Sequence, residues 1–369
     1  MILATLTILG AALLAFANGA NDVSRGVATL SGSGRASYRS AIAWGTLWTG
    51  AGALASLVIA AGLVKTFTTA IVGPEVLALP VFPLAAATGA AAWVVFATAT
   101  GLPVSTTHAL TGAIVGVAFT VGGTSAIGWG MVVSAIAAPL ALSPLVSAAI
   151  GYGTQAVARA LSPACVCLES GDAFANAGVQ PDGSVTALTF GAVVPRLVAR
   201  RSGCAAHGAR RRFMPAAGLH WGAAAALSFA RGVNDNAKIA AIAALGFTAL
   251  HVELWPAFLV SAAAMTAGSY FGGLRVTRTL SERVVTMDRD TGLAAAVVSA
   301  GLVLAASAYA MPVSTTHVST GAIVGAGLRQ DPGAVHWGWV GGLASAWVVT
   351  LPVSAGLGAL AVWTLGVVA

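Results

Sequence analysis

The sequence predicts an all-α polytopic membrane protein built as two inverted-topology repeats, each with a broken helix and a re-entrant hairpin. Three observations carry this expectation. Hydrophobic residues make up 57% of the chain and charged residues only 8%, too little charge to cover a water-soluble core of this length. Apolar runs of about 20 residues recur, the length a helix needs to cross roughly 30 Å of hydrocarbon. Finally, Pro103-Val104-Ser105-Thr106-Thr107-His108 returns as Pro312-Val313-Ser314-Thr315-Thr316-His317, and both run on into Thr-Gly-Ala-Ile-Val-Gly, at Thr111 to Gly116 and Thr320 to Gly325. An identical hexapeptide at an offset of 312 − 103 = 209 residues marks a duplication.

The first apolar segment, Ile2 to Phe16, has no basic leader and no small-residue cleavage site with polar sequence behind it, so it is expected to be a retained helix. It runs into Asn18-Gly19-Ala20-Asn21-Asp22-Val23-Ser24-Arg25-Gly26, and Ser31 to Arg35 reads as a loop. Unpaired backbone at membrane depth is tolerated only inside protein or beside a cavity, so Asn18 to Asp22 is read as a break in a helix. Apolar segments follow near 41–64, 82–101, 104–119 and 127–152. A polar stretch from Gly153 to about Arg212 carries Arg159, Arg196, Arg200, Arg201, Arg210, Arg211 and Arg212 and is read as a cytoplasmic connection. The second half repeats the plan, with an apolar run from Met214 to Ala230, the interruption Arg231-Gly232-Val233-Asn234-Asp235-Asn236-Ala237-Lys238, and segments near 239–249, 253–274, 291–310, 313–328 and 336–367. The predicted division is a first membrane repeat over 1–152, a connecting loop over 153–212 and a second repeat over 213–369.

Loop charge orients the halves. In the first half the early loop is basic (Arg35, Arg39) and the later one, Lys65 to Pro80, nearly neutral; in the second half Gly246 to Glu253 lacks Lys and Arg while the later loop carries Arg275, Arg278, Arg283 and Arg289. If basic loops face the cytoplasm, the halves are inverted relative to each other. For residues 31–40 and the Arg-rich connection both to lie inside, the stretch 81–152 must cross an odd number of times. Either all three of its apolar segments span, or the two flanking Pro103 form a re-entrant hairpin; the hairpin is preferred, because it places Pro-Val-Ser-Thr-Thr at a tip inside the protein with backbone free for a ligand. The net charge of +7 needs no nucleic acid, since most of it lies in these loops. Cys165, Cys167 and Cys204, with His207, could form a Cys-x-Cys…Cys-x-x-His metal site, but they are read as reduced thiols on the cytosolic side, with no metal and no cofactor.

The duplicated polar motifs carry the chemistry. A carboxylate costs roughly 2.5 to 3.5 kcal/mol at mid-membrane, so Asp22 and Asp235 need a partner or a task. With Asn21, Asn234 and free carbonyls they suit a Na⁺ or H⁺ site; the plain alternative is a buried ion pair, because Arg25 and Lys238 each lie three residues on. Ser105, Thr106 and Thr107, with Ser314, Thr315 and Thr316, supply hydroxyls and backbone N–H groups at helix starts, where a tetrahedral oxyanion binds. Singly such a cluster is an N-cap; duplicated beside a duplicated Asn-Asp it is a substrate site. His108 and His317 either contact the oxyanion, relay protons or serve the cap.

Asn18-Gly19-Ala20-Asn21-Asp22, the degenerate Arg231-Gly232-Val233-Asn234-Asp235 and the two Pro-Val-Ser-Thr-Thr-His copies together resemble the inorganic phosphate transporter (PiT, solute carrier 20) family, whose signature is a duplicated Gly-Ala-Asn-Asp. The resemblance spans both halves. It implies a cell (inner) membrane symporter, not an enzyme, that imports inorganic phosphate with Na⁺ or H⁺. It also implies inverted repeats, paired hairpins, a homodimer with both termini outside, and phosphate and cation held jointly by the Asn-Asp motifs and the Ser-Thr-Thr tips. One departure matters. The family continues Asn-Asp-Val-Ala-Asn-Ala, with a neutral residue three after the Asp, whereas this chain has Arg25 and Lys238 as charge-balancing cations there. That weakens the case for sodium at both sites and keeps a related sulfate permease as the runner-up, since phosphate offers a proton to Asp22 or Asp235 and sulfate does not. A passive anion channel is the further alternative. An intramembrane Ser-His-Asp hydrolase has no use for two copies of one tip.

Overall fold

The computed structural model describes residues 1–60, 62, 64, 67, 70–161, 165–170, 193–198, 211–213, 215–309, 311 and 313–366, with backbone alone described at 161, 165–170, 193–198, 211–213 and 215. Lys65, Cys204, His207 and Pro312 therefore lie outside the described residues, as do the side chains of Cys165 and Cys167.

The first half holds α1 (Ile2–Gly32), α2 (Tyr38–Ile59), α3 (Phe82–Thr100), α4 (Thr106–Gly122) and α5 (Ala138–Leu161), the last entered through a π-helical turn at Val132–Ala137. The second holds α6 (Pro215–Ala249), α7 (Trp255–Gly272), α8 (Leu274–Glu282), α9 (Arg289–Ala308), α10 (Thr315–Gln330) and α11 (Trp337–Thr364). Among the described residues seven helical stretches are long and apolar enough to cross a membrane, and α7 with α8, bent by 64°, makes an eighth. Leu47, Val58, Leu145, Phe271 and Val348 stand exposed on this bundle, apolar surface that suits contact with lipid chains and not with water.

Between the halves the chain forms a three-stranded antiparallel sheet of β1 (Cys165–Ser170), β2 (Val193–Val198) and β3 (Arg211–Phe213) in the order β2-β1-β3, with Cys167 opposite both Arg196 and Arg212. The sequence predicts a loop over this connection. Its strands are short and lie between polar stretches, so they leave no periodic signal long enough to read.

The predicted break at Asn18 to Asp22 is not there. α1 runs unbroken through it, and α6 runs unbroken through Arg231 to Lys238, joining two segments the sequence separates. Polarity was mistaken for backbone need: every residue of α1 from Ala17 to Leu30 is buried, and the polar side chains there find partners on other elements, so the helical ladder has no reason to open.

The two halves interlock. α1 packs along α7 while α6 packs along α2, and α4 packs along α11 while α10 packs along α5. Glycine sets the first pair of contacts: a Cβ on Gly19 would sit 2.0 Å from Met265 O, and one on Gly232 would sit 2.3 Å from Thr49 O. The Gly of the Asn-Asp motif is thus a packing residue, letting backbones approach where lipid offers no hydrophobic drive to helix association.

Candidate functional site

The break in helix sits at the hexapeptides. α3 ends on Gly101 at φ 77, where Leu102 N bonds Ala97 O at 2.8 Å, a left-handed helix end that glycine adopts without strain. Leu102 to Val104 run non-helically to Ser105, whose Oγ accepts from His108 N at 3.3 Å and starts α4. Ser314 does the same for His317 N at 3.3 Å, with φ −89 and ψ 112 against −89 and 113 at Ser105. Both serines are therefore N-caps, the plain alternative in the sequence reading, and each hydroxyl keeps a proton to donate.

The two tips touch. Thr107 Oγ1 donates to Val313 O at 3.3 Å, and Thr316 Oγ1 donates to Val104 O at 3.1 Å, the same bond exchanged between halves. The motif helices hold the tips from behind. Asn21 Nδ2 donates to Leu102 O at 2.9 Å and Thr98 Oγ1 at 3.0 Å, while its Oδ1 accepts from Val104 N at 3.2 Å. Asn234 Nδ2 likewise donates to Ser307 Oγ at 3.2 Å, and Ser307 precedes Pro312 by the same interval as Thr98 precedes Pro103. Asn21 thus satisfies non-helical backbone that would otherwise be buried unpaired.

Charge gathers at the same place. Arg25 Nη1 lies 2.9 Å from Asp22 Oδ1, and Lys238 Nζ lies 3.3 Å from Asp235 Oδ1, with all four side chains at most 3% exposed. The buried ion pairs weighed in the sequence reading are formed. Each cation also reaches both tips: Arg25 Nη2 donates to Thr316 Oγ1 at 2.7 Å and Val104 O at 2.8 Å, and Lys238 Nζ donates to Thr107 Oγ1 at 2.8 Å and Val313 O at 3.2 Å. Asn18 ties the carboxylates together, its Nδ2 lying 3.1 Å from Asp22 Oδ2, 3.5 Å from Asp235 Oδ2 and 2.9 Å from Thr106 Oγ1. Thr315 is buried in the first turn of α10, and the rings of His108 and His317 stand 4.8 Å apart behind the caps. The predicted residues therefore converge on one buried cluster.

The sequence does not single out two further polar side chains of the motif helices, Asn18 and Arg231. They occupy matching positions four residues before Asp22 and Asp235, a spacing that puts them on the face of the carboxylates; that match was the available signal. Arg231 is fully buried and donates through Nη2 to Thr49 Oγ1 at 2.8 Å and Ser269 Oγ at 3.1 Å. Among the described residues its Nε and Nη1 have no hydrogen-bond partner. With Arg25 and Lys238 it gives three buried cations against two buried carboxylates, an excess of one positive charge that suits an anion.

The chain is similar over 98% of its length to a Mycobacterium leprae (strain TN) protein described as a probable low-affinity inorganic phosphate transporter, at 26% identity and 78% coverage of that protein. A Bacillus subtilis (strain 168) protein of the same description is 27% identical, with 100% of this chain and 98% of the other aligned. A solved structure described as the sodium-dependent phosphate transporter matches all of both chains with a TM-score of 0.76 at 22% identity, a likeness of fold. The profile of the phosphate transporter family matches residues 18–358, from Asn18 through both motif helices and both tips. On that match, and with its array of apolar helices, the chain is a multi-pass membrane protein that belongs to the phosphate transporter family.

Proposed function

We propose that the protein imports inorganic phosphate by secondary active transport driven by a cation gradient, with the anion bound where the two Ser-Thr-Thr tips meet the two Asn-Asp motifs. The observation that carries this reading is the approach of two capped helix starts, α4 and α10, on a buried cluster with surplus positive charge. Helix starts offer N–H groups and a partial positive charge to an oxyanion. Arg231, with the three N–H groups of Nε and Nη1 uncommitted, is the cation free to donate to phosphate oxygens, because those of Arg25 and Lys238 are already engaged with protein oxygens. Two interlocked halves that exchange tip contacts suit alternating access around a fixed central site.

Purified protein in sealed vesicles tests this. Labelled phosphate should accumulate above its outside concentration when an inward cation gradient is imposed, and should only equilibrate without one. Equilibration under every gradient would make it a passive channel. Suppression of phosphate uptake by equimolar sulfate would move the substrate assignment to sulfate.

A further inference from the structure

We infer that Arg25 and Lys238 are tethered cations standing in the two positions where coupling ions would bind, so that phosphate uptake by this chain is independent of sodium. The inference rests on the transport reading above. Each charged nitrogen sits in a cluster of oxygens drawn from both halves. Around Arg25 these are Asp22 Oδ1 at 2.9 Å, Asn21 Oδ1 at 3.0 Å, the Asn21 carbonyl, Ser24 Oγ at 3.0 Å, Val104 O at 2.8 Å and Thr316 Oγ1 at 2.7 Å. Around Lys238 they are Asp235 Oδ1 at 3.3 Å, Thr107 Oγ1 at 2.8 Å and Val313 O at 3.2 Å. A carboxylate, a hydroxyl and a carbonyl from non-helical backbone are the ligands a hard monovalent cation takes at a transporter midplane.

Here those oxygens are already used by a charge the chain cannot release. The three N–H groups of Lys238 have three acceptors, and Arg25 spends Nε, Nη1 and Nη2 on the same kind of partner. A sodium ion entering either cluster would meet a buried positive charge within hydrogen-bond distance of its own ligands. The two halves reach this arrangement with different side chains, a guanidinium in one and an ammonium in the other, at the same interval after the Asp. Shared charge without shared shape points to the charge as what the position requires. A tethered cation carries no ion down a gradient, which leaves the proton as the coupling ion.

Two measurements on the whole chain decide the matter. Phosphate uptake into vesicles, with an inward proton gradient and choline replacing sodium at equal ionic strength, should stay within about twofold of its value in sodium, whereas a fall of about tenfold or more overturns the proposal. The melting temperature of detergent-solubilised protein should not respond to sodium against choline, while Arg25→Asn with Lys238→Asn, which opens both clusters, should gain a saturable sodium-dependent rise. A saturable rise in the unmodified protein overturns the inference, and does so even if the double variant fails to fold. Absence of phosphate uptake in both media by folded protein would instead overturn the transport reading, leaving the sodium question to the melting measurement.

Discussion

Arg25 and Thr316 lie 291 positions apart and share one hydroxyl oxygen, which accepts from Nη2 at 2.7 Å and from Nε at 3.1 Å. The same hydroxyl donates to Val104 O at 3.1 Å, so one threonine joins the first motif helix, the first tip and the second tip. Thr107 makes the matching link for Lys238 and Val313. These two hydroxyls join the tips of the two halves.

Thr316→Val keeps the shape and removes the acceptor. Hydrogen bonds between membrane helices average about 0.6 kcal/mol, but this one stands against a buried charge, where loss of a partner costs roughly 1 to 3 kcal/mol. Thermal melting in detergent should fall accordingly, and phosphate uptake should fall with it. Thr107→Val should act in the same direction and more weakly, since Lys238 donates a single bond to that hydroxyl where Arg25 donates two. Equal melting of Thr316→Val and the unmodified protein would remove the tip-to-tip bond from the account.

The ion pairs make a second test. Asp22→Asn strands the Arg25 guanidinium in a site with no exposure, and breaking a buried pair from one side costs about 3 to 5 kcal/mol. Asp22→Asn combined with Arg25→Gln restores neutrality and should recover most of the lost stability, while uptake remains low because both side chains belong to the proposed site. Recovery of uptake in the double variant would show that the pair is structural alone.

Much of this was legible in the sequence for a definite reason. The Pro-Val-Ser-Thr-Thr-His repeat and the i, i+3 spacing of Asp22 with Arg25 and Asp235 with Lys238 report local geometry, and local geometry is what a sequence carries directly; the caps at Ser105 and Ser314 and both ion pairs, which the sequence offers as alternatives to a ligand role, are local in this sense. What failed was the inference from a polar run to a broken helix. Whether Asn21 breaks its own helix or mends another element's backbone depends on Leu102 and Val104 being beside it, a relation across more than 80 residues that spacing does not encode. Arg231 is a similar case: as a departure from the motif it reads as degeneracy, and its burial with Nε and Nη1 unpartnered is visible only in the structure. The sheet in the connection was invisible because its strands are short.

Gly19→Ala should disrupt helix packing with no change in charge. The new methyl would lie 2.0 Å from Met265 O and 2.8 Å from Ser269 N, both backbone atoms that cannot swing aside. Overpacking of this kind costs about 1 to 3 kcal/mol, so the melting temperature should drop clearly. Gly222→Ala on α6 is the control, since a Cβ there meets nothing within 4 Å, and in a helix interior it should melt at the same temperature or slightly higher. Equal behaviour of the two variants would mean that α1 and α7 pack less closely than described.

Arg231→Asn places in the second half the residue the first half carries at Asn18, and it separates binding from folding. The substitution takes away a buried positive charge and the uncommitted Nε and Nη1 groups, so the cluster falls from an excess of one positive charge to balance, and phosphate should bind more weakly. A lost charge-assisted hydrogen bond of about 1.5 to 3 kcal/mol corresponds to a rise in KM of roughly tenfold or more. Stability should change less than affinity, because relief of the unpaired N–H groups on Nε and Nη1 offsets loss of the bonds to Thr49 and Ser269. Arg231→Lys keeps the charge but not the fork of donors, and its KM should fall between the two. If Arg231→Asn lowers the melting temperature sharply while folded protein keeps its KM, the guanidinium serves only to join α6 to α2 and α7, and the anion must be held by the tips alone.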